Sequence, residues 1–266
     1  MTNTHKHNFI RIIQPFLLLF FTVLQGQTGV FVPQMAGVDN SIQQFMQQWG
    51  LNAGSIAITK NGKLIYNRAF GTSDQKTGRP AQPNDLYRIA SISKPITSIA
   101  IMKLVQEGKL DMDAKVFGAD RIINDPYYLE KVKDPRVYDI TVRHLLEHTA
   151  GWDRTVPYGP YRHSDPPFFP LHVTAVEEAP NPVGDSTLIR FKLGNGLHFA
   201  PGTHYSYSNV GYLVLGKIIE KISGLKYEHF VKLNLLEPIS AHDMQLGKNL
   251  KKDRHEREVE YVNNST

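Results

Sequence analysis

The sequence predicts an α+β fold: an antiparallel sheet with flanking helices, joined to a mostly helical region. Three observations carry this. A strand pair is announced near the start by Lys60-Asn61-Gly62-Lys63, in which Asn-Gly is a strong two-residue hairpin signal. Apolar runs with helical spacing follow Ser91 and Asn209. No internal repeat or low-complexity tract interrupts the 266 residues, enough for one large or two small domains.

Taken in order, residues 1–26 read as an export signal or uncleaved N-terminal anchor. Lys6 and Arg11 precede the apolar run Phe16 to Leu24, and the small or polar Gln25, Gly26 and Gln27 come next. These nine residues, apolar except for Thr22, are short for a bilayer span, and Ile12 and Ile13 lengthen the stretch. Membrane contact is therefore expected only if the segment is retained. Residues 27–90 hold a helix over Asp39 to Trp49, with Ile42, Phe45, Met46 and Trp49 on one side, then strands Ala53 to Thr59 and Leu64 to Phe70. Residues 91–235 form the helical region, with a long loop at 157–182 rich in Pro, Tyr, Phe and His. Residues 236–266 make a charged segment in which Lys251 to Glu258 has no core-forming pattern.

Composition narrows the function. A hydrophobic share of 41% is ordinary for a globular protein, and a net charge of +5 without a basic, aromatic-interleaved stripe argues against nucleic-acid binding. The chain has no cysteine, so neither a disulfide framework nor a lipid-modified cysteine is available, which fits a periplasmic or cell-envelope location. Oligomeric state is not legible.

The chemistry concentrates in two places. Ser91-Ile92-Ser93-Lys94 puts a hydroxyl and an amine three residues apart at the start of a helix-patterned run. On a helix this spacing shares one face, so the amine can reach the serine oxygen. A serine needs such a base, and a lysine base needs burial or a shared hydrogen-bond network to be neutral. The helix start also favours a developing oxyanion. Two further SxxK matches lack this context. Ser73 to Lys76 lies in a polar turn, and Ser223 to Lys226 straddles Gly224, a helix terminator. Only Ser91 precedes a stretch able to bury a face: Ile96, Ile99, Ala100, Met102, Leu104 and Val105. In the second place, Tyr207 and Asn209 are one residue apart, so both can point into one cleft. They follow the turn Phe199 to Thr203 and precede an apolar helix from Val210 to Ile222 that ends at Gly224. Tyr261 and Asn263 repeat the spacing in the charged tail.

Three blocks, in order, carry a family likeness: Tyr87-Arg88-Ile89-Ala90-Ser91-Ile92-Ser93-Lys94-Pro95, Ile140-Thr141-Val142-Arg143-His144-Leu145-Leu146-Glu147-His148-Thr149-Ala150-Gly151, and Ala200-Pro201-Gly202-Thr203-His204-Tyr205-Ser206-Tyr207-Ser208-Asn209. From about Leu51 to Met244 the chain resembles the class C β-lactamase and penicillin-binding-protein-like serine hydrolases. The resemblance implies a β-lactamase/transpeptidase-like fold and an acyl-enzyme mechanism on a D-alanyl peptide, small ester or β-lactam, with no cofactor and no metal. It implies Ser91 as nucleophile, Lys94 as general base, Tyr207 as proton relay and Asn209 as a contact to the substrate amide, the Lys94 and Tyr207 roles being shared. The family's late Lys-Thr-Gly or His-x-Gly strand has no counterpart here. Lys221-Ile222-Ser223-Gly224 comes nearest and closes a helix, so the C-terminal return strands are expected to be absent. Two other readings stay open. One is a catalytically silent fragment or binding module of this family. The other is a zinc peptidase in which His144 and His148, at i and i+4 of one helix, share a metal ion.

Overall fold

A computed structural model of the chain describes residues 26–261, and the export or anchor segment read from the sequence lies outside them save for Gly26. The described residues divide into two compact units, one running from Leu86 to Glu256 and the other formed by the described residues before and after it. The sequence reading placed that boundary at 90/91 and kept 236–266 together. Asp85 belongs with the first unit because its carboxylate is held by Arg79 at 2.9 Å, and Arg257 returns there by donating to the Asn84 carbonyl at 3.0 Å.

In the first unit, strands β1 (Gln27–Gly29), β2 (Ala53–Lys60), β3 (Lys63–Asp74) and β4 (Arg79–Pro80) pair antiparallel in the order β1-β3-β2, with β4 also on β3. The β2–β3 turn is the one the sequence announces. Asn61 and Gly62 both have positive φ, 52° and 71°, as a type I′ turn demands. Helix α1 (Ala36–Trp49) packs on this sheet through Val38, Ile42 and Met46, which meet Ile56, Tyr66 and Phe70. The expected face is corrected on two residues: Phe45 and Trp49 are 55% and 64% exposed and tilt against each other instead. Their places go to Asp39, which is buried in an ion pair with Arg68 at 2.6 Å and accepts from the Tyr66 hydroxyl at 2.5 Å. Hydrophobic spacing cannot register a buried, fully partnered carboxylate.

The second unit is helical: α2 (Ser93–Gln106), α3 (Pro126–Leu129), α4 (Val142–Leu146), α5 (Pro170–Val176), α6 (Asp185–Leu193), α7 (Asn209–Ser223) and α8 (Tyr227–Val231). Helix α7 is its axis. Val210, Val214, Leu215, Ile218 and Ile219 are fully buried, each side chain contributing about 1.5–3 kcal/mol, and Gly224 ends the helix in the left-handed region at φ 73°. Helices α2, α4, α6 and α8 all pack on it. Helix α2 buries Thr97, Ala100, Ile101 and Leu104, while Ile99 and Met102, counted on the core face from spacing, are 58% and 45% exposed. The run is apolar nearly all round, so its pattern could not choose a side.

The stretch 157–182 is not a plain loop. Asp165 leads a 3-10 turn, Pro166–Phe168, and α5 follows, each with proline in its first turn. Tyr158, Tyr161, Phe169 and Phe191 stack into a small core of their own, which gives the segment a reason to order. Among the described residues no strand follows β4.

Candidate active site

Ser91 stands where the chain turns into α2. Ala90, just before it, sits at φ 44°, a left-handed conformation that costs a non-glycine residue about 1–3 kcal/mol. The 3-10 turn Ala90–Ile92 then feeds α2. Pro95 is tolerated because it lies in the first helical turn, where a backbone N–H has no intrahelical acceptor. The result is an exposed hydroxyl at a helix start with Lys94 on the same face.

Tyr207 and Asn209 arrive from the other end of the unit. Ser208 caps α7, its side chain accepting from the Gly211 N–H at 3.1 Å, so Tyr207 is the last residue but one before the helix and Asn209 its first. The approach 198–208 is tied to the segment after α4. The N–H groups of His198, Gly202 and Ser206 donate to the carbonyls of Gly151, Thr149 and His148 at 2.8, 2.8 and 2.9 Å. Gly151 is needed in that strap. Its φ is +106°, and a Cβ there would stand 2.6 Å from the Phe199 carbonyl.

These elements bring all four sequence-singled residues together. The Tyr207 hydroxyl donates to Ser91 Oγ at 2.7 Å, and Lys94 Nζ donates to Ser91 Oγ at 3.4 Å and to Asn209 Oδ1 at 2.7 Å. The ammonium also lies 4.5 Å from the centre of the Tyr207 ring and 5.5 Å from that of Tyr212. Burial pushes the Tyr207 phenol up. Hydrogen bonding with Lys94 and Ser91, together with the charges of Lys94 and Arg154, outweighs it and holds the phenol below its ordinary value. The decoys are elsewhere engaged: Ser73 Oγ donates to the Arg79 carbonyl and Ser223 Oγ to that of Ile219.

Three further residues complete the arrangement, and spacing assigned none of them to it. Asp165, 2% exposed, accepts from both the backbone N–H and the Nδ2 of Asn209, at 3.1 and 2.8 Å. With Nδ2 committed to that carboxylate, Oδ1 must face Lys94. Arg154 lays its guanidinium 5.3 Å from the Tyr207 ring centre. His148 tilts against Tyr207 and Tyr212 at 4.6 and 5.0 Å. Burial first, and then the Lys94 charge, push His148 down to about 4, so the ring is neutral at pH 7. Its Nδ1 accepts from the Ser208 N–H at 3.1 Å, which leaves the proton on Nε2. His148 was legible only as half of a possible zinc pair, and that geometry is corrected here. Helix α4 ends at Leu146, and His148 has turned off it at φ 59°. His144 faces its own helix start, its Nδ1 accepting from the Thr141 N–H at 3.2 Å in a capping box. His144 and His148 therefore do not share a helix face.

The family model described as Beta-lactamase matches residues 38–265. Penicillin-binding protein 4* of Bacillus subtilis is 29% identical over 199 residues, which cover 73% of this chain and 38% of that protein. An octameric penicillin-binding protein homologue from Pyrococcus abyssi is 27% identical with a TM-score of 0.63, covering 85% of this chain and 47% of the other. A class C beta-lactamase is similar in fold, with a TM-score of 0.56 at 23% identity over 78% of this chain and 49% of that one. The chain spans about two fifths of the length of the curated relatives it matches. The fold is thus the β-lactamase/transpeptidase-like one, and the chain belongs to the Beta-lactamase family.

Proposed function

We propose that this chain carries the reacting groups of a serine hydrolase that works through an acyl-enzyme on an amide or ester. One observation supports the reading above the rest: Tyr207 OH, Ser91 Oγ, Lys94 Nζ and Asn209 Oδ1 form, in that order, a single run of contacts at 2.7, 3.4 and 2.7 Å. In this reading Lys94 and Tyr207 share the work of the base: the phenolate form of Tyr207 takes the Ser91 proton as Oγ bonds to the carbonyl carbon, whose π electrons move to its oxygen. The Lys94 ammonium stabilises the phenolate and the forming oxyanion side by charge. Collapse of that intermediate breaks the bond to the leaving nitrogen or oxygen, which takes the proton back from Tyr207. Water then releases the acyl group by the same steps in reverse. Asn209, locked by Asp165, keeps Lys94 in place and can contact a substrate amide.

Among substrates we favour a peptide or small ester over a β-lactam, all three being chemically within reach of these residues. A fluorescent fluorophosphonate tests the reading directly. Wild-type protein should be labelled on Ser91, and Ser91→Ala should not be labelled at all. Equal labelling of both proteins would remove Ser91 from the chemistry.

A further inference from the structure

Lys192 is buried where a lysine is seldom found. It lies in the last turn of α6, 2% exposed, between the buried Phe191 and Leu193, and among the described residues it is the one buried lysine. Its Nζ donates to the Ser164 carbonyl at 2.7 Å and to Ser164 Oγ at 3.1 Å. Neither acceptor carries a charge. Ser164 in turn ties down the chain after Trp152, its Oγ donating to the Asp153 carbonyl at 2.6 Å and its N–H to that of Arg154 at 3.2 Å.

A buried ammonium is costly unless an anion stands near it. Two do. Burial brings Lys192 down to about 8, while the charges of Asp165 and then Asp153 pull the other way, so the amine is protonated at pH 7. The third titratable group that shares this field is His198, held low by burial and then by the Lys192 charge, with its Nδ1 accepting from the Asp153 N–H at 2.9 Å. The two acids are not equally provided for. Asp153 Oδ1 accepts from the Thr155 N–H and hydroxyl and from Ser206 Oγ, at 2.9, 2.7 and 3.0 Å. Asp165 has Asn209 on Oδ2, while its Oδ1 is buried and takes no hydrogen bond among the described residues. A buried carboxylate with an unbonded oxygen is stabilised by the field of a neighbouring cation. Lys192, anchored on the residue just before Asp165, supplies that field.

We propose that Lys192 is a positioning residue of the site: its buried charge keeps Asp165 a carboxylate, the acceptor-only form that sets the Asn209 amide and so holds Lys94 beside Ser91. This rests on the serine-hydrolase reading and goes beyond it by adding a second lysine that acts through Asp165 and Asn209. The run of contacts at Ser91 is then steadied from below by a charge that no spacing in the sequence connects to it.

The test is a double-mutant cycle of wild type, Lys192→Met, Asp165→Asn and the double variant. Methionine keeps an unbranched apolar chain and removes the charge. Each protein is melted, and the second-order rate at which an alkyl fluorophosphonate ending in a methyl group labels Ser91 is measured at pH 7 and pH 9. In that reaction the Ser91 Oγ–phosphorus bond forms, the phosphorus–fluorine bond breaks, fluoride leaves, and the serine proton passes to Tyr207. At pH 7 Lys192→Met should label about tenfold more slowly than wild type, the scale of one charged hydrogen bond. In the Asp165→Asn background the same change should cost less than about twofold, because the carboxylate it served is gone. The wild-type to Lys192→Met ratio should shrink from pH 7 to pH 9, since wild type itself loses the charge at about 8. The double variant should melt above Lys192→Met, having no carboxylate left without its cation. Equal slowing in both backgrounds, or a ratio that does not move with pH, reduces Lys192 to a clamp on Ser164; either result overturns the proposal and leaves the hydrolase reading standing. If Lys192→Met fails to fold, the melts decide: a double variant that folds supports the proposal, and one that does not overturns it. If wild type is not labelled at all, the hydrolase reading falls and takes this one with it.

Discussion

Replacing Asp165 by asparagine tests whether the buried carboxylate, rather than Asn209 alone, sets the geometry around Lys94. Asp165 receives two hydrogen bonds from Asn209, at 2.8 and 3.1 Å, and as a carboxylate it can only accept. This forbids one of the two orientations of the Asn209 amide. An asparagine at 165 can donate as well as accept, so the Asn209 amide is free to flip and present its NH2 group to the Lys94 ammonium. The charge-assisted bond at 2.7 Å between Lys94 and Asn209 is then lost in the flipped population. Exchanging a hydrogen bond to a charged group for a neutral one forfeits about 1–2 kcal/mol. The expected drop in labelling rate is about fivefold to thirtyfold.

The pH profile separates this from simple loosening of the fold. Lys94 is a chief reason the Tyr207 phenol lies low, by hydrogen bond and by charge, against a burial effect that acts upward. If Lys94 drifts, the phenol rises, and the limb on which the labelling rate climbs with pH moves to higher pH. The assay is the labelling rate of the methyl-ended fluorophosphonate from pH 6 to 10, with a thermal melt alongside. Asp165→Asn labelled within twofold of wild type, on an unshifted profile, would refute the orientation argument. A slower rate with an unshifted profile would place the effect outside the Lys94–Tyr207 pair, also against it.

Two further outcomes are expected. His148 titrates at about 4 in the fold and near 6.5 when unfolded, so the unfolded chain takes up the proton first as pH falls. Stability should therefore drop through the window from 6.5 down to 4, by about 2 kcal/mol once partial exposure is discounted, and His148→Gln should flatten that slope in urea titrations at pH 7 and pH 5. Parallel slopes in the two proteins would contradict it. Gly151→Ala places a Cβ 2.6 Å from the Phe199 carbonyl at a φ of +106°, so a loss of about 3 kcal/mol is expected, with labelling of Ser91 falling as the Tyr207 approach shifts. A wild-type melting temperature would show that the strap yields without strain.

What the sequence disclosed follows from how far each signal reaches. Ser91 and Lys94 share a helical turn, and Tyr207 and Asn209 flank one residue, so each pair is visible as a spacing. Asp165 bonds to Asn209 across 44 positions and Arg154 reaches Tyr207 from a loop, and neither leaves a periodic trace. Had a reader asked why an acid stands directly before Pro166 and Pro167 in an aromatic segment, Asp165 was the residue to suspect. The Asn61-Gly62 turn and the Gly224 helix end were legible because they are backbone requirements of single residues. The faces of α1 and α2 were not, because apolar spacing counts candidates for burial without saying which meet a partner. Phe45, Trp49, Ile99 and Met102 all satisfy the count and remain exposed.

The block Ile140 to Gly151 shows how one segment can invite the wrong chemistry while serving the right one. Read as a helix, it offers two histidines to a metal. Folded, it spends His144 on the helix start and then leaves the helix, so that the carbonyls of His148, Thr149 and Gly151 face the chain leading to Tyr207. His148 goes further, holding the Ser208 N–H with one nitrogen and packing its ring on Tyr207. Its neutrality is part of that work. A protonated ring would lose the Nδ1 acceptor and set a second positive charge against Lys94, which is the repulsion that helps keep it neutral. The phenol at Ser91 is therefore placed by two elements at once: α7, which fixes where the chain must enter the helix, and the strap after α4, which fixes the angle at which it arrives. Neither alone would hold a 2.7 Å contact to Ser91 Oγ across 116 positions of sequence.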